Sequence, residues 1–269
     1  MATIGFIGGG NMAEALIKGI LSAKVYQPKD VFVSDIRPDR LKFLADQYGV
    51  QTLGSNKKLA GSADIVILSV EPQQLNGVLL DIKDSARPDT LFISIAAGRK
   101  IQKIKDVLGN VNLIRVMPNT PARIGQGLSG IYAPENTKAR LDEAASVFSS
   151  IGKTIILENE DMIDVITAVS GSGPAYFFLL MENMIQAAVE LGFTQQRATD
   201  LVIQTAKGAA LLAEFAKDNG QSPGQLREKI VSRGGTTEAA LKVFAGGNFG
   251  ALVNSAVKKA HARSKELSA

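Results

Sequence analysis

The chain has 269 residues, 45% of them hydrophobic, which is enough for one large domain or two domains of ordinary size. There is no cysteine, so disulfides, thiolate metal sites and a cysteine nucleophile are excluded, and we predict no metal site. The formal net charge is +4 without a cluster of Lys and Arg, so nucleic-acid binding is not expected. This mild positive charge suits an anionic cofactor and a carboxylate substrate.

The first residues form an apolar strand pattern rather than the charged start of a signal peptide. The apolar runs of the sequence also fall well short of the ~20 residues that a membrane span needs. We therefore expect a cytoplasmic protein that does not bind a membrane.

A strand, a glycine turn and a helix are predicted at the start of the chain. The apolar run at residues 4–7 leads into three glycines, and residues 12–21 carry apolar side chains at helical spacing. The pattern Gly8-x-Gly10-x-x-Ala13 matches the dinucleotide-binding fingerprint, in which the first glycine permits the turn. Gly10 lacks a Cβ, so a pyrophosphate can approach the backbone where the N–H groups that begin the helix favour negative charge.

The second predicted strand, residues 31–35, ends in an acidic residue that two arginines follow. Asp35 is close to the position, about 20 residues beyond the glycine turn, where an acid binds the adenosine ribose of NAD. Arg37 and Arg40 are instead suited to the 2′-phosphate of NADP. The signals conflict, so the choice between NADP(H) and NAD(H) stays open. The simplest alternative is a strand end and a solvated helix start without a ligand.

Strands and helices alternate as far as residue 157. Further strands are predicted at residues 64–70, 90–95, 112–116, 130–133 and 153–157. Further helices are predicted at residues 40–48, 56–60, 73–80, 101–108 and 138–151. The alternation indicates an α/β Rossmann-type fold with a doubly wound parallel sheet, in which ligands lie beyond the carboxyl ends of the strands. Residues 69–70, 95–98 and 117–119 should therefore surround the cofactor.

Only helices are predicted from about residue 161 onwards. The sequence thus divides into a dinucleotide-binding domain, residues 1–158, and an all-α helical dimerisation and substrate domain, residues 159–269. The helix at residues 174–191 is apolar almost all round, and such a helix must be buried. A helical domain of about 110 residues is too small to bury this helix fully, so we expect a partner subunit to cover it.

A second glycine loop precedes one of the C-terminal helices. In Ser232-Arg-Gly-Gly-Thr-Thr237 two glycines free the backbone, the following amides begin a helix, and two hydroxyl groups add donors. A substrate carboxylate fits such a nest of N–H groups. The alternative is an ordinary loop between helices with a threonine cap.

The absence of certain residue types restricts the reactions that this protein can catalyse. Oxidation of a hydroxy acid needs a base, usually His or Lys, and the single histidine, His261, lies near the C-terminus. A protonated imine is already an electrophile, so reduction of a C=N bond needs mainly orientation and a hydroxyl or water near the nitrogen. Thr237 can supply that hydroxyl.

Five motifs of this sequence stand out: Gly8-x-Gly10-Asn11-Met12-Ala13, Ser94-Ile-Ala-Ala-Gly98, Arg115-Val-Met-Pro-Asn-Thr-Pro121, Ser170-Gly-Ser-Gly-Pro-Ala-Tyr176 and Gly234-Gly-Thr-Thr237. With these motifs the sequence resembles the Δ1-pyrroline-5-carboxylate reductase family. The resemblance covers the whole chain and implies reduction of an imino acid to L-proline, the last step of proline biosynthesis, with NADP(H) or NAD(H). It also implies a Rossmann domain and a helical domain that interlocks with its twin in an obligate homodimer, with decamers in some members.

The resemblance implies site residues at the positions that match the family. For the cofactor these are Gly8, Gly9, Gly10, Asn11, Met12, Ser34, Asn56, Ser69, Val70, Pro72, Ile95 and Ala97, to which the strand-end interpretation adds Asp35 and Arg37. For the substrate they are Ser232, Gly235, Thr236 and Thr237, with Thr237 as the catalytic residue near the ring nitrogen.

Two positions depart from the family pattern. Glu71 replaces the usual lysine, which leaves a contact to the phosphates open. Arg233 replaces the usual proline and either strengthens carboxylate binding or points to solvent.

Two other functions fit part of the sequence. A β-hydroxyacid dehydrogenase resembles this architecture, but that family places a lysine on the helix after its glycine-rich motif. Here no lysine follows Gly171 until Lys207. A non-enzymatic NAD(P)-sensing protein would keep the Gly8 loop without needing the second glycine nest. Turnover of an imino acid, of a 3-hydroxy acid or of neither separates the three functions.

Overall fold

In a computed structural model, which describes residues 2–268, the chain divides into two compact units. The first unit comprises the described residues up to 174 together with those from 259 onwards. The second unit comprises residues 175–258.

The first unit contains one eight-stranded sheet. Its strands are β1 Ile4–Ile7, β2 Val31–Ser34, β3 Gln51–Thr52, β4 Ile65–Leu68, β5 Leu91–Ser94, β6 Asn112–Met117, β7 Gly127–Tyr132 and β8 Gly152–Ile156. The strand order is β3-β2-β1-β4-β5-β6-β7-β8, and every neighbouring pair is parallel except β6 with β7. The chain reverses its direction of winding between β1 and β4, which is the switch point where doubly wound sheets bind their ligands.

Two features of the sheet were not predicted from the sequence. Strand β7 runs antiparallel to β6, with Met117 opposite Gly130. A short 3-10 segment, Thr120–Ile124, joins the two strands, and a parallel pair would need a longer crossover. Strand β3 was not predicted, because its two residues are exposed and form no apolar run.

Twelve α-helices complete the described part of the chain. They are α1 Asn11–Ser22, α2 Pro38–Tyr48, α3 Asn56–Ser62, α4 Pro72–Ile82, α5 Ile101–Leu108, α6 Leu141–Ser149, α7 Met162–Ile166, α8 Gly173–Glu190, α9 Gln195–Asp218, α10 Pro223–Ile230, α11 Thr236–Gly246 and α12 Phe249–Ser268. Helix α6 begins later than predicted, because Glu135–Arg140 is a 3-10 segment and Arg140 has φ −102° and ψ 9°. A π-helical turn, Thr167–Gly171, separates α7 from α8.

The central strands β1, β4 and β5 are buried on both faces of the sheet, as their continuous apolar runs predict, whereas β3 and β8 are largely exposed. In β4, Ile65 and Ile67 belong to one core cluster, whereas Val66 and Leu68 belong to the other. Helix α1 packs in the first cluster and helices α3, α4 and α5 in the second. In these central strands the ends therefore remain open to a ligand.

The second unit presents a long apolar surface on α8. The large side chains of this helix with the greatest exposure are Tyr176 (36%), Phe177 (64%), Phe178 (62%), Leu179 (59%), Leu180 (38%) and Met184 (43%). By length and composition alone, the helical run Met162–Glu190 could cross a membrane. This corrects the expectation that all apolar runs are too short, and the reason is that the π-helical turn carries the helix through the polar residues 170–172.

Candidate active site

The turn after β1 requires glycine at its first position. Gly8 has φ +97°, and a Cβ added to it would lie 2.7 Å from the backbone oxygen of Ser69. Its N–H donates to Ser34 O at 2.8 Å, and Ser69 Oγ donates to Gly8 O at 2.7 Å. The turn is therefore fixed between the ends of β2 and β4.

Gly10 leaves open space at the start of α1. It is the N-cap of the helix, with φ −67° and ψ −173°, and a Cβ added to it would meet no described atom within 4 Å. Because the first N–H groups of a helix have no partner within it, those of Asn11 and Met12 are available to an anion here. The space and the donors together fit a pyrophosphate.

The carboxylate of Asp35 already accepts hydrogen bonds from other groups of this chain. Its Oδ2 accepts from Gly9 N at 2.7 Å, and its two oxygens accept from Arg37 Nε at 3.0 Å and Nη2 at 3.1 Å. Arg37 N adds a fourth hydrogen bond, at 2.9 Å to Oδ1. Burial acts to raise the pKa of Asp35, but the hydrogen bonds from Arg37 and Gly9 outweigh it and lower the pKa. The carboxylate therefore stays charged and braces the glycine turn.

Arg40 also braces the glycine turn. Its guanidinium donates to Gly9 O, pairs with Glu14 of α1 and lies 5.0 Å from the ring centre of Phe43. Tyr48 donates a further hydrogen bond to Glu14 at 2.9 Å. Burial acts to raise the pKa of Glu14, and the hydrogen bonds from Arg40 and Tyr48 lower it by more. Of the two arginines that follow β2, Arg37 is thus the exposed one, at 55% against 17% for Arg40.

The other predicted cofactor residues lie at the carboxyl ends of neighbouring strands. The register pairs Ile7 with Ser34 and with Leu68, and Leu68 with Ser94, so the segments after β1, β2, β4 and β5 begin at one edge of the sheet. Ser34 Oγ donates to Asn56 Oδ1 at 2.8 Å.

Beyond β4 and β5 the predicted cofactor residues again lie in short loops. Val70 follows Ser69, and Pro72 is the first residue of α4 after Glu71, which is exposed. Ile95 and Ala97 are half-buried in the loop after β5. The predicted cofactor residues from Gly8 to Ala97 thus lie at the ends of β1 to β5 or in the segments that follow these strands.

Two of the sequence motifs meet through Asn119. Its amide nitrogen donates to Ser170 Oγ at 3.0 Å, and its Oδ1 accepts from Leu128 N at 2.9 Å. Asn119 was predicted to line the cofactor site, and the structure shows that its side chain joins the loop after β6 to the π-helical turn. The separation of 51 residues explains why local pattern does not reveal the contact.

A buried ion pair near this edge was not predicted. Arg115 of β6 is 1% exposed and its Nη1 donates to Glu160 Oε1 at 3.0 Å. The same oxygen accepts from Ile101 N, at the start of α5, at 2.7 Å. Within the described residues Arg115 Nε and Nη2 have no hydrogen-bond partner. The one signal in the sequence was an arginine inside an apolar strand.

The second glycine loop lies in the second unit. Gly234 has φ +74°, and Gly235, the N-cap of α11, donates to Ser232 O at 3.0 Å. Thr236 and Thr237 are the first residues of the helix, so their N–H groups begin it.

An acidic side chain of α11 reaches back to this loop. Glu238 accepts from Gly234 N and pairs with Lys242 at 2.9 Å. The hydrogen bond from Lys242, followed by that from Gly234, lowers the pKa of Glu238. The loop therefore already holds one carboxylate, while Ser232 and Arg233 are exposed beside it.

Comparison with known proteins decides the family. Residues 160–267 match the family model for pyrroline-5-carboxylate reductase dimerisation, and residues 3–98 match that for NADP oxidoreductase, coenzyme F420-dependent. The pyrroline-5-carboxylate reductase of Pseudomonas aeruginosa is 40% identical over 98% of this chain and 96% of its own length. The chain belongs to the pyrroline-5-carboxylate reductase family.

Solved structures of pyrroline-5-carboxylate reductases share the whole fold. The enzyme from Coxiella burnetii has a TM-score of 0.89 and 40% identity, and the similarity covers 100% of this chain and 99% of that one. The enzyme from Plasmodium falciparum, solved with NADP bound, has a TM-score of 0.89 and 31% identity, with 100% and 98% covered. These matches confirm the predicted Rossmann-type fold followed by a helical dimerisation domain. The exposed apolar face of α8 lies within that dimerisation region.

Proposed function

We propose that this protein transfers a hydride from NADPH to the imine carbon of 1-pyrroline-5-carboxylate and releases L-proline, which is the final step of proline biosynthesis. The observation that carries the proposal is 40% identity to a pyrroline-5-carboxylate reductase over nearly the whole of both chains. The open glycine turn at the switch point of the sheet supports the use of a dinucleotide.

The residues after β1 and β2 fit the adenine half of the coenzyme. Gly8, Gly10 and the N–H groups that begin α1 would hold the pyrophosphate. Asp35 already accepts four hydrogen bonds, about as many as a carboxylate can accept, so the ribose hydroxyl of NADH would have to displace one. Arg37 is exposed and would pair with the 2′-phosphate of NADPH. We therefore propose NADP(H) as the preferred coenzyme and NAD(H) as the weaker one.

When bound, the coenzyme supplies the hydride and leaves as NADP⁺. The chain's own residues bind and orient the imino acid. Ser232, Gly235 and the N–H groups of Thr236 and Thr237 would hold its carboxylate. The ring nitrogen would be bound in its protonated form and would donate its N–H to the Thr237 hydroxyl oxygen. As the adjacent carbon accepts the hydride, the electron pair of the C=N π bond moves to the nitrogen, which becomes the amine of proline without a further proton.

Assembly and location extend the proposal. The dimerisation region and the apolar face of α8 support an obligate homodimer, and a decamer stays a prediction. The division into residues 1–158 and 159–269 is proposed as a division of labour, with coenzyme bound by the former and substrate and partner by the latter. A cytoplasmic location, and the lack of nucleic-acid and membrane binding, also remain predictions.

The test is consumption of NADPH, followed by its absorbance, with 1-pyrroline-5-carboxylate as substrate. We expect turnover with this imino acid and L-proline as the product. Oxidation of a 3-hydroxy acid with NADP⁺ would support a β-hydroxyacid dehydrogenase instead. Coenzyme binding without turnover of either compound would support a sensor. The full-length identity to a named reductase favours the first outcome.

A further inference from the structure

The last turn of α12 lies against the loop that follows β5. Gly98 in this loop has φ +65°, and a Cβ added to it would lie 2.7 Å from Leu267 Cβ and 3.0 Å from Leu267 O. Both residues belong to the first compact unit. The two segments therefore touch through their main chains, and no side chain fits between them.

A buried carboxylate holds this end of α12 in place. Asp164 of α7 accepts from Ser264 Oγ at 2.6 Å and from Ser268 Oγ at 3.2 Å. The three residues are 1%, 4% and 3% exposed, respectively. Ser268 Oγ also lies 2.9 Å from Ser264 O, so the three side chains form one buried hydrogen-bonded cluster. The position of the last turn is thus set by α7.

The loop after β5 is also fixed at its other end. Ile101 N, which begins α5, donates to Glu160 Oε1 at 2.7 Å, and Glu160 pairs with the buried Arg115. The segment 95–100 is thus held between Leu267 on one side and Glu160 on the other. A loop that is fixed at two points has little freedom to move. Such a rigid loop can hold a reacting ring in one orientation.

We propose that the last turn of α12, residues 264–268, is a positioning element for the nicotinamide end of the coenzyme. The proposal rests on the proposed function and on the prediction from the sequence that Ile95 and Ala97 bind the coenzyme. Because the adenine half is proposed to lie after β1 and β2, the loop after β5, on the other side of β4, would face the nicotinamide half. Leu267 acts through Gly98 and is therefore a positioning residue rather than a catalytic one. A change of Leu267 should therefore weaken the binding of the nicotinamide half of NADPH and leave the binding of the adenine half unchanged.

The first test compares Leu267→Gly with Lys265→Gly in the full-length protein. Both changes weaken the same helical turn, but Lys265 is exposed and only Leu267 contacts Gly98. We measure the Kd for NADPH and for 2′-phospho-ADP-ribose, which lacks the nicotinamide. For Leu267→Gly we expect weaker binding of NADPH and unchanged binding of 2′-phospho-ADP-ribose. We also expect kcat to fall by about tenfold, which is less than the ~100-fold loss in rate that a misplacement of about 1 Å can cause. Lys265→Gly should match wild type.

The second test uses two glycines with left-handed backbones. Gly98 and Gly125 have φ +65° and +72°, and of the two only Gly98 has described neighbours within 4 Å of an added Cβ. Gly98→Ala should therefore reduce NADPH binding more than Gly125→Ala, although both carry the same backbone strain. Combining Gly98→Ala with Leu267→Gly should recover part of the loss, because the Cβ–Cβ collision is removed.

Equal weakening of NADPH and of the fragment by Leu267→Gly would overturn the proposal, and so would wild-type behaviour. Additive losses in the double variant would overturn it as well. The binding measurements do not depend on turnover. If the protein binds NADPH but does not reduce 1-pyrroline-5-carboxylate, the proposed reaction is refuted, and the binding data still test the role of α12.

Discussion

Asp35 and Arg37 form a bidentate ion pair at the end of β2, with distances of 3.0 and 3.1 Å between their side chains. The carboxylate is 6% exposed and the guanidinium side chain is 55% exposed. The acid that the sequence assigns to NAD therefore serves the glycine turn through Gly9, and it also orients an arginine towards solvent. This relationship is the basis of the proposed preference for NADPH.

Replacing Arg37 with alanine should weaken NADPH more than NADH. A lost hydrogen bond to a charged group costs about 1.5–3 kcal/mol, so we expect the Kd for NADPH to rise at least tenfold and that for NADH to change little. The matched control is Lys42→Ala, in the helix α2 that Arg37 precedes as N-cap, which removes an exposed pair with Asp46. An equal loss for both coenzymes would contradict a 2′-phosphate contact.

Gly8→Ala should lower the stability of the protein, whereas Gly10→Ala should lower its affinity for the coenzyme. Gly8 has φ +97° and a backbone neighbour 2.7 Å from the added Cβ, so Gly8→Ala should lower the thermal unfolding temperature. Gly10 has an ordinary φ and open space, so Gly10→Ala should keep the wild-type unfolding temperature but lose coenzyme affinity. Gly77→Ala, also in open space but within α4, is the control. Wild-type NADPH affinity in Gly10→Ala would place the pyrophosphate elsewhere.

The carboxylate of Asp64 should make stability depend on pH. A hydrogen bond from Thr3 N at 2.8 Å, opposed by partial burial and assisted by Thr3 Oγ1 and Arg87, lowers its pKa from 3.8. A lowered native pKa stabilises the fold above the unfolded pKa, and this stabilisation is lost as the pH falls through the native value.

We therefore expect the urea midpoint to fall between about pH 5 and 3 and to fall less in Asp64→Asn. Asp84→Asn, in an exposed turn, should follow the wild-type curve. The protein concentration is kept constant, because oligomerisation shifts apparent stability. Identical pH dependence in Asp64→Asn and wild type would show that this carboxylate is not responsible.

The parts of the fold that the sequence predicts are those with a local pattern. The apolar runs and the glycine turn predict β1, α1 and the other central strands, since periodicity and turn chemistry involve neighbouring residues. The capping box of Ser222 and Gln225 at α10 is likewise local. These elements also place the coenzyme loops, because parallel strands bring their carboxyl ends to one edge.

The contacts that sequence reasoning missed join distant residues. Arg40 reaches Gly9 across 31 positions, Arg115 reaches Glu160 across 45 and Ser264 reaches Asp164 across 100. No periodicity links such partners, and each arginine taken alone fits a ligand as well as a structural role. The antiparallel β7 was missed because the strand pattern carries no information about direction.

Thr237→Ala should lower kcat by at least about tenfold, because one hydrogen bond to the reacting nitrogen is worth ~1.4 kcal/mol. Thr237→Ser keeps the hydroxyl and should retain most of the rate. Thr237 is the second residue of α11, so both variants are compared for helix content by circular dichroism. An unchanged kcat in the alanine variant would remove Thr237 from the reaction.

The most direct measurement of the central claim uses NADPH that carries deuterium at the transferable position of the nicotinamide. The wild-type protein is incubated with this coenzyme and 1-pyrroline-5-carboxylate, and the proline is analysed by mass spectrometry and NMR. We expect L-proline with one deuterium on the ring carbon that was the imine carbon. Proline without deuterium, or no proline while NADPH binds normally, would contradict direct hydride transfer by this protein.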